Sequence, residues 1–302
     1  MSTKIEDNGV LIAESKSINI QAYAKLLRPR QWIKNIFVFF GLIFSEGNID
    51  IYQIIKSFIA FVLFCLISSS VYIYNDLIDI EADKVHPRKR FRPLAAGLIS
   101  KRQAIMILVL IASFTLSFSF YFNFNFACIV MSYFLLNILY ALKLKKIIII
   151  DIMVIALGFV FRAISGFLVI ENVINMYSLL CTFFLTLFLG LNKRKQELYN
   201  LNKKAKEHRE ILGEYSIEKI NQMIPIVASC AILSYSFYTI QDSKSLWMML
   251  TIPSVIYGML RYECLAYSTN VGETPELILI KDKPFVLNIL VLVSIVLVIN
   301  II

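Results

Sequence analysis

FIAFVLFCLISSSVYIY, Phe58–Tyr74, runs uncharged into NDLIDIEADKVHPRKRFRP, Asn75–Pro93. The first piece has the composition of a bilayer-spanning helix, and the second begins where such a helix reaches water. Asn75, Asp79 and Asp83 recur every four residues, with Asp76 three before Asp79. If the helix continues, these four side chains share one face, a wall of oxygen ligands one turn apart. Carboxylates at that spacing repel each other unless a cation lies between them. Solvation of a helix end would account for acids balanced by the basic run behind them. It does not ask for an Asn and three Asp on one face with Leu77, Ile78 and Ile80 off it. The pattern therefore predicts a hard-cation site on Asn75, Asp76, Asp79 and Asp83. Mg²⁺ is the expected ion, since it is typically held by a few carboxylates plus substrate phosphates. Arg88, Lys89, Arg90 and Arg92 then supply charge for the phosphates themselves.

The rest of the chain has the same character. Its 302 residues are 58% hydrophobic, with a mean hydropathy of +0.71, which makes it an integral membrane protein and excludes a soluble one. Apolar runs predict an all-α bundle of nine transmembrane helices, centred on residues 33–47, 54–74, 103–121, 124–142, 147–168, 176–192, 222–241, 245–262 and 284–302. Residues 1–24 read as a cytoplasmic tail without a cleavable leader, and 25–302 as the transmembrane domain. The net charge of +9 raises the question of nucleic acid. With nine spans, 27 of the 30 Lys and Arg fall on one side of the bilayer. The N-terminus is then cytoplasmic and the C-terminus outside, and the basic balance reports topology and anionic substrates rather than nucleic acid. The five cysteines are single and widely spaced, with no pairing for zinc or a disulfide.

Further polar residues cluster on the same side. Lys34 and Asn35 sit just inside the first span, where Lys34 reads either as a snorkelling cation or as a phosphate contact. Arg28, Arg30 and Trp32 before them read as interfacial anchors. Tyr140 and Lys145 close the fourth span, as anchors or as substrate contacts. Arg162 lies in the middle of the fifth span, within GFVFRAISG, and must face a partner or a cavity. It is too far along the helix to pair with Asp151, and Gly158 and Gly166 beside it read as close-packing points. Lys193 and Arg194 stand where the sixth span leaves the membrane, in a block suited to an anion. His86 and His208 are too few and too far apart for a metal cluster.

These residues resemble the UbiA-type prenyltransferase superfamily, through the signature N-D-x-x-D-x-x-x-D at Asn75, Asp76, Asp79 and Asp83 near the end of the second span. Within it, LRPRQWIKN (Leu27–Asn35), SSVYIYNDLIDIEADKVHPRKRFRPLAAG (Ser69–Gly97), YALKLK (Tyr140–Lys145), GFVFRAISG (Gly158–Gly166) and LNKRKQEL (Leu191–Leu198) resemble the decaprenyl-phosphate phosphoribosyltransferase branch. The resemblance implies that the four motif residues hold Mg²⁺ on a diphosphate, with Asp76, Asp79 and Asp83 catalytic. Where ordinary superfamily members carry a second aspartate motif after the sixth span, this chain has KRKQEL. It further implies transfer of phosphoribosyl from phosphoribosyl diphosphate to a polyprenyl phosphate at the cytoplasmic face of the plasma (inner) membrane. Asn75, Lys89 and Arg92 would serve the diphosphate, Lys34, Lys193 or Arg194 the lipid phosphate, and Tyr140, Lys145 and Arg162 would complete the substrate-binding set. A phosphate nucleophile is already ionised at neutral pH, so no general base is required.

Two other classes compete with this reading. A true prenyltransferase would share the first motif but need a second metal site, for which only Asp151 and Glu197 remain. A transporter would place broken helices and polar residues at mid-membrane, whereas here they gather at one face.

Overall fold

The computed structural model describes residues 20–44, 49–201, 210–241, 245–268 and 282–301, and every regular element among them is helical. In chain order these are α1 (Ile20–Leu27), a 3-10 stretch Pro29–Phe39 running into α2 (Phe40–Ile43), α3 (Ile51–Ile78), α4 (Ile80–Val85), α5 (Lys101–Phe122) and α6 (Phe124–Leu142). There follow α7 (Ile150–Val169), α8 (Met176–Leu201), α9 (Ile217–Gln241), α10 (Ser245–Met248), α11 (Ile252–Ser268) and α12 (Lys283–Ile301).

Six of the described helices, α3 and α5 to α9, are long and apolar enough to cross a bilayer, so the protein is a multi-pass membrane protein. The expected count of nine is met only this far. The first expected span is wound mostly as 3-10 helix, because the chain enters it through Arg28 in the left-handed region (φ 53°, ψ 58°) followed by Pro29. The eighth is interrupted at Met249–Thr251, leaving α10 and the 17-residue α11. The ninth coincides with α12, whose apolar stretch Lys283–Val296 is shorter than a span. The tail expected over residues 1–24 gives way to helix at Ile20, since Ala22 and Leu26 bury against Ile73, Ile80 and Leu94. Residues 1–19 lie outside the described residues.

Helices α3 and α7 form the centre, each with over half of its apolar span buried, whereas α5 lies at the periphery. One core joins Val38, Phe64, Phe126, Tyr133 and Val169; a second joins Ile152, Phe188, Leu191, Ile220, Met259 and Tyr262. Gly41 and Gly166 set the closest approach: a Cβ on Gly166 would lie 1.9 Å from the Val38 carbonyl oxygen. Small residues at such a crossing let backbones meet without lipid between them. The helix ends are fixed by side-chain caps. Asp50 and Ser100 each form a capping box, with Gln53 and Gln103, and Asn123 accepts from the Phe126 amide at 2.9 Å.

Candidate active site

The helix carrying the acidic motif does not run through it. It ends at Ile78, Asp79 takes φ −93° and ψ 11°, and α4 starts at Ile80. Backbone bonds still bridge the break, from the Asp79 amide to the Asn75 carbonyl at 3.0 Å and from Asp83 to Asp79 at 2.8 Å. The expectation of four ligands on one continuous helical face is corrected here. Asp76 and Asp83 are buried together, while Asp79, 37% exposed, turns to a different partner. Mutual repulsion of three carboxylates gives a physical reason for separating one of them.

Cations engage all three. Arg92 Nη1 donates to Asp83 Oδ2 at 2.6 Å and to Asp76 Oδ1 at 3.1 Å, and Arg28 donates to the same Asp76 Oδ1. Lys145 Nζ lies 2.6 Å from Asp79 Oδ1. Arg92 reaches back because the loop before it is folded by His86, whose Nδ1 accepts from the Arg88 and Lys89 amides at 3.1 and 3.2 Å. Gly97, at φ 72°, then turns the chain toward α5. Arg28 is fixed by the neighbouring segment, where Trp32 Nε1 donates to Ser69 Oγ at 3.0 Å and Ser69 Oγ donates to the Leu27 carbonyl at 2.8 Å. Burial pulls the Arg28 guanidinium below its ordinary value, and Asp76 opposes that pull.

Among the described residues, no three of His, Cys, Asp and Glu stand together as a metal cage. The donor chemistry nonetheless fits a hard cation at Asp76 and Asp83, whose oxygens already converge on one cationic nitrogen. The Asn75 carbonyl is taken by the Asp79 amide, and Asp79 is engaged by Lys145.

A second charged cluster joins α7 and α8. Asp151, fully buried, accepts from Arg194 Nε at 3.0 Å and from the Tyr215 hydroxyl at 2.7 Å. Arg194 Nη1 reaches Glu197 Oε2 at 2.6 Å, and Tyr140 lies within electrostatic range of the same guanidinium. Beside it, Lys195 Nζ pairs with Glu263 Oε1 at 2.9 Å. Burial and the Asp151 hydrogen bond push the Tyr215 phenol well above its ordinary value. Arg194 is thus buried between carboxylates rather than presented as an open anion site, and Lys193 is the exposed cation of that block. The loop Lys145–Asp151 connects the two clusters, placing both at the end of the bundle where α3 terminates.

Arg162 bonds to neither cluster. Its Nε donates to Asn35 Oδ1 at 2.7 Å, Nη1 to the Gly158 carbonyl at 2.6 Å and Nη2 to the Tyr133 hydroxyl at 2.8 Å. Asn35 Nδ2 continues to Ser68 Oγ at 3.2 Å. These bonds tie four segments together and engage every nitrogen of the guanidinium, the packing role that a mid-span arginine requires. Lys34, half-buried, sits beside Asn35 on the entering segment. Sequence reasoning missed Arg28 as a partner of Asp76, Tyr215 as a partner of Asp151, and the Lys195–Glu263 pair. Arg28 lay within a quoted stretch; nothing in the sequence around Tyr215 marked it.

Residues 35–274 match the model of the UbiA prenyltransferase family. The chain is 31% identical over 288 residues, 90% of each chain, to a protein named decaprenyl-phosphate phosphoribosyltransferase from Mycolicibacterium smegmatis. It is also 31% identical over 277 residues to one of the same name from Corynebacterium glutamicum, covering 89% of this chain and 82% of that one. In fold it resembles a UbiA homolog from Archaeoglobus fulgidus bound to GPP and Mg²⁺, with a TM-score of 0.69 at 17% identity over 93% of this chain and all of that one. The chain belongs to the UbiA prenyltransferase family and is a transferase.

Proposed function

We propose that the protein transfers 5-phosphoribosyl from phosphoribosyl diphosphate to a polyprenyl phosphate in the membrane and releases diphosphate. The observation that carries this reading over ordinary prenylation is at α8. Asp151 and Glu197, the two carboxylates that the sequence offers for a second metal after the sixth span, are both held by Arg194, at 3.0 and 2.6 Å. The relatives matched over nine-tenths of this chain are named for phosphoribosyl transfer, which supports the same choice.

Two polyanions must meet in such a reaction, so fixed cations have to offset their repulsion. Arg28, Arg92 and Lys145 engage the acids at the end of α3 and, with Lys89, would take phosphate charge from the donor. Asp76 and Asp83, with Asp79 once released by Lys145 and with the Asn75 side chain, would hold Mg²⁺. Bound there, Mg²⁺ supplies charge neutralisation for the departing diphosphate. An oxygen of the lipid phosphate, drawn by Lys34 or Lys193, forms the new bond to the anomeric carbon of ribose. The bond from that carbon to diphosphate breaks, and diphosphate leaves with the electron pair. The prenyl tail lies among the apolar spans, which accounts for a sugar transferase built inside a membrane. By the distribution of Lys and Arg, the site faces the cytoplasm from the plasma membrane.

The test is turnover by purified protein with Mg²⁺, polyprenyl phosphate and labelled phosphoribosyl diphosphate, run beside polyprenyl diphosphate with an aromatic acid. Label entering the lipid fraction and lost on chelation is the expected result. Product in the second assay alone would overturn the phosphoribosyl reading.

A further inference from the structure

Ile149, one residue before α7, stands at φ 70° and ψ −46°, a backbone conformation that a β-branched residue rarely adopts. The Ile150 amide donates to the Ile148 carbonyl at 2.8 Å, so Ile149 is the centre of a γ-turn of the positive-φ kind, which is rare and strained. Such a conformation persists only where its surroundings hold it, and here a chain of buried hydrogen bonds does so. The Ile149 amide donates to the Tyr215 hydroxyl at 2.8 Å, and that hydroxyl donates to Asp151 Oδ1 at 2.7 Å. Asp151 Oδ2 in turn accepts from Arg194 Nε at 3.0 Å. Asp151 is fully buried and Tyr215 nearly so, yet neither takes part in the transfer.

The same stretch of chain carries Lys145, whose Nζ lies 2.6 Å from Asp79 Oδ1. Backbone bonds of 3.1 Å run along it, from the Lys146, Ile147 and Asp151 amides to the Lys143, Leu144 and Ile147 carbonyls. The turn Leu144–Lys146 packs against Glu210–Gly213, just before Tyr215. Ile148 packs into the core that contains Ile211 and Tyr215. The loop is therefore wound from one end to the other, and a change of the turn at Ile149 is carried to Lys145.

We propose that Tyr215 and Asp151 are positioning residues for Lys145. By clamping the turn at Ile149 they seat the lysine on Asp79 as its internal counter-ion, and keep it beside the donor diphosphate once Mg²⁺ takes the acid. The assignment rests on Asp79 being a ligand of Mg²⁺, and not on which group the diphosphate carries. Lys145 and Mg²⁺ compete for one carboxylate, so a well-seated lysine lowers the apparent affinity for the metal alone. The same seating favours diphosphate, because an ammonium already held in place pays less ordering cost when it meets a phosphate.

The experiment measures two dissociation constants by calorimetry on the purified protein, for Mg²⁺ alone and for inorganic diphosphate in saturating Mg²⁺. Lys145→Met is expected to tighten Mg²⁺ about tenfold, the factor that follows if the lysine occupies the acid about nine-tenths of the time. It should weaken diphosphate by a similar factor, because a phosphate-binding cation is gone. Tyr215→Phe and, independently, Ile149→Pro, whose φ of about −65° excludes the turn, should each shift both constants in the same directions by about threefold. Tyr215→Phe added to Lys145→Met should change neither constant further, since nothing remains to be positioned. If one clamp variant does not fold, the other carries the test. A Tyr215 that only packs would lower the unfolding temperature and leave both constants alone. Unchanged constants in the clamp variants, or effects that add to those of Lys145→Met, overturn the positioning role. An unshifted Mg²⁺ constant in Lys145→Met removes the lysine as counter-ion and the proposal with it. Wild type that binds no Mg²⁺ even with diphosphate removes instead the metal reading beneath the proposal.

Discussion

Arg92 Nη1 stands 2.6 Å from Asp83 Oδ2 across the helix break at Asp79. The same nitrogen meets Asp76 at 3.1 Å, so one guanidinium holds together carboxylates from α3 and α4. A divalent cation bound between the two aspartates would take over the neutralising role of Arg92.

Replacing Arg92 by Gln is therefore expected to destabilise the protein most when Mg²⁺ is absent. Removing one member of a fully buried pair costs about 3–5 kcal/mol, and about 2 is expected here because Arg92 is 28% exposed. Thermal unfolding with chelator and with Mg²⁺ checks this: the deficit should shrink when Mg²⁺ is added, and an equal deficit in both conditions would argue against a shared position.

Asp83→Asn and Asp79→Asn address the carboxylates directly. Both substitutions keep the shape and remove a negative charge, so metal-dependent turnover should be abolished in each. Mg²⁺ should also no longer raise the unfolding temperature of Asp83→Asn. Full activity in either variant would refute the assignment of the motif.

How much of this was legible beforehand depended on what each residue obeys. The spacing of Asn75, Asp76, Asp79 and Asp83 located the site, because helical periodicity governs both sides of the break. The break itself was not visible, since repulsion among three acids and the reach of Lys145 from a distant loop are tertiary effects. Six spans follow from apolar length alone. The segment 33–47 looked like a further α-helix because apolar content does not distinguish 3-10 from α winding; Arg28 and Pro29 decide it. Arg162 was recognised as needing partners, and these proved to be neutral: Asn35, the Gly158 carbonyl and the Tyr133 hydroxyl. KRKQEL read as an open basic block, but Asp151 and Glu197 enclose Arg194, and pairing of that kind is set by helix packing that no local pattern records.

Arg162→Lys should fail to replace arginine despite keeping the charge. A single ammonium cannot reach Asn35, the Gly158 carbonyl and Tyr133 in the fork geometry of a guanidinium. A loss of about 2–4 kcal/mol is expected, two or three buried hydrogen bonds at roughly 1–1.5 kcal/mol each. Unfolding in detergent checks it, and a near-neutral lysine variant would mean that the bonds carry little of the stability.

Gly166→Ala tests the closest crossing of the bundle. The added carbon would meet the Val38 carbonyl oxygen at 1.9 Å, a backbone atom that cannot swing aside. Overpacking of this kind costs about 1–3 kcal/mol or more as the helices move apart. Gly97→Ala, which meets no atom within 4 Å, differs in kind: its penalty comes from the positive φ of 72°. Steric relief elsewhere should rescue the first substitution but not the second.

The Tyr215 hydroxyl links a loop to buried Asp151, and its behaviour in alkali follows from that bond. Burial and Asp151 both favour the neutral phenol, so the folded pKa lies above the phenol's ordinary value. A group whose folded pKa is raised contributes stability that is complete below its unfolded pKa and is lost as pH rises through the folded one. The contribution is therefore constant through neutral pH and begins to fall above about pH 10. Tyr215→Phe should lose about 1–2 kcal/mol at neutral pH, because Asp151 loses the hydroxyl and keeps Arg194. In the same variant the alkaline loss of stability should be shallower by one titrating group. Denaturant unfolding from pH 7 to 11 measures both, and parallel curves for the two proteins above pH 10 would show that the phenol does not titrate against the fold.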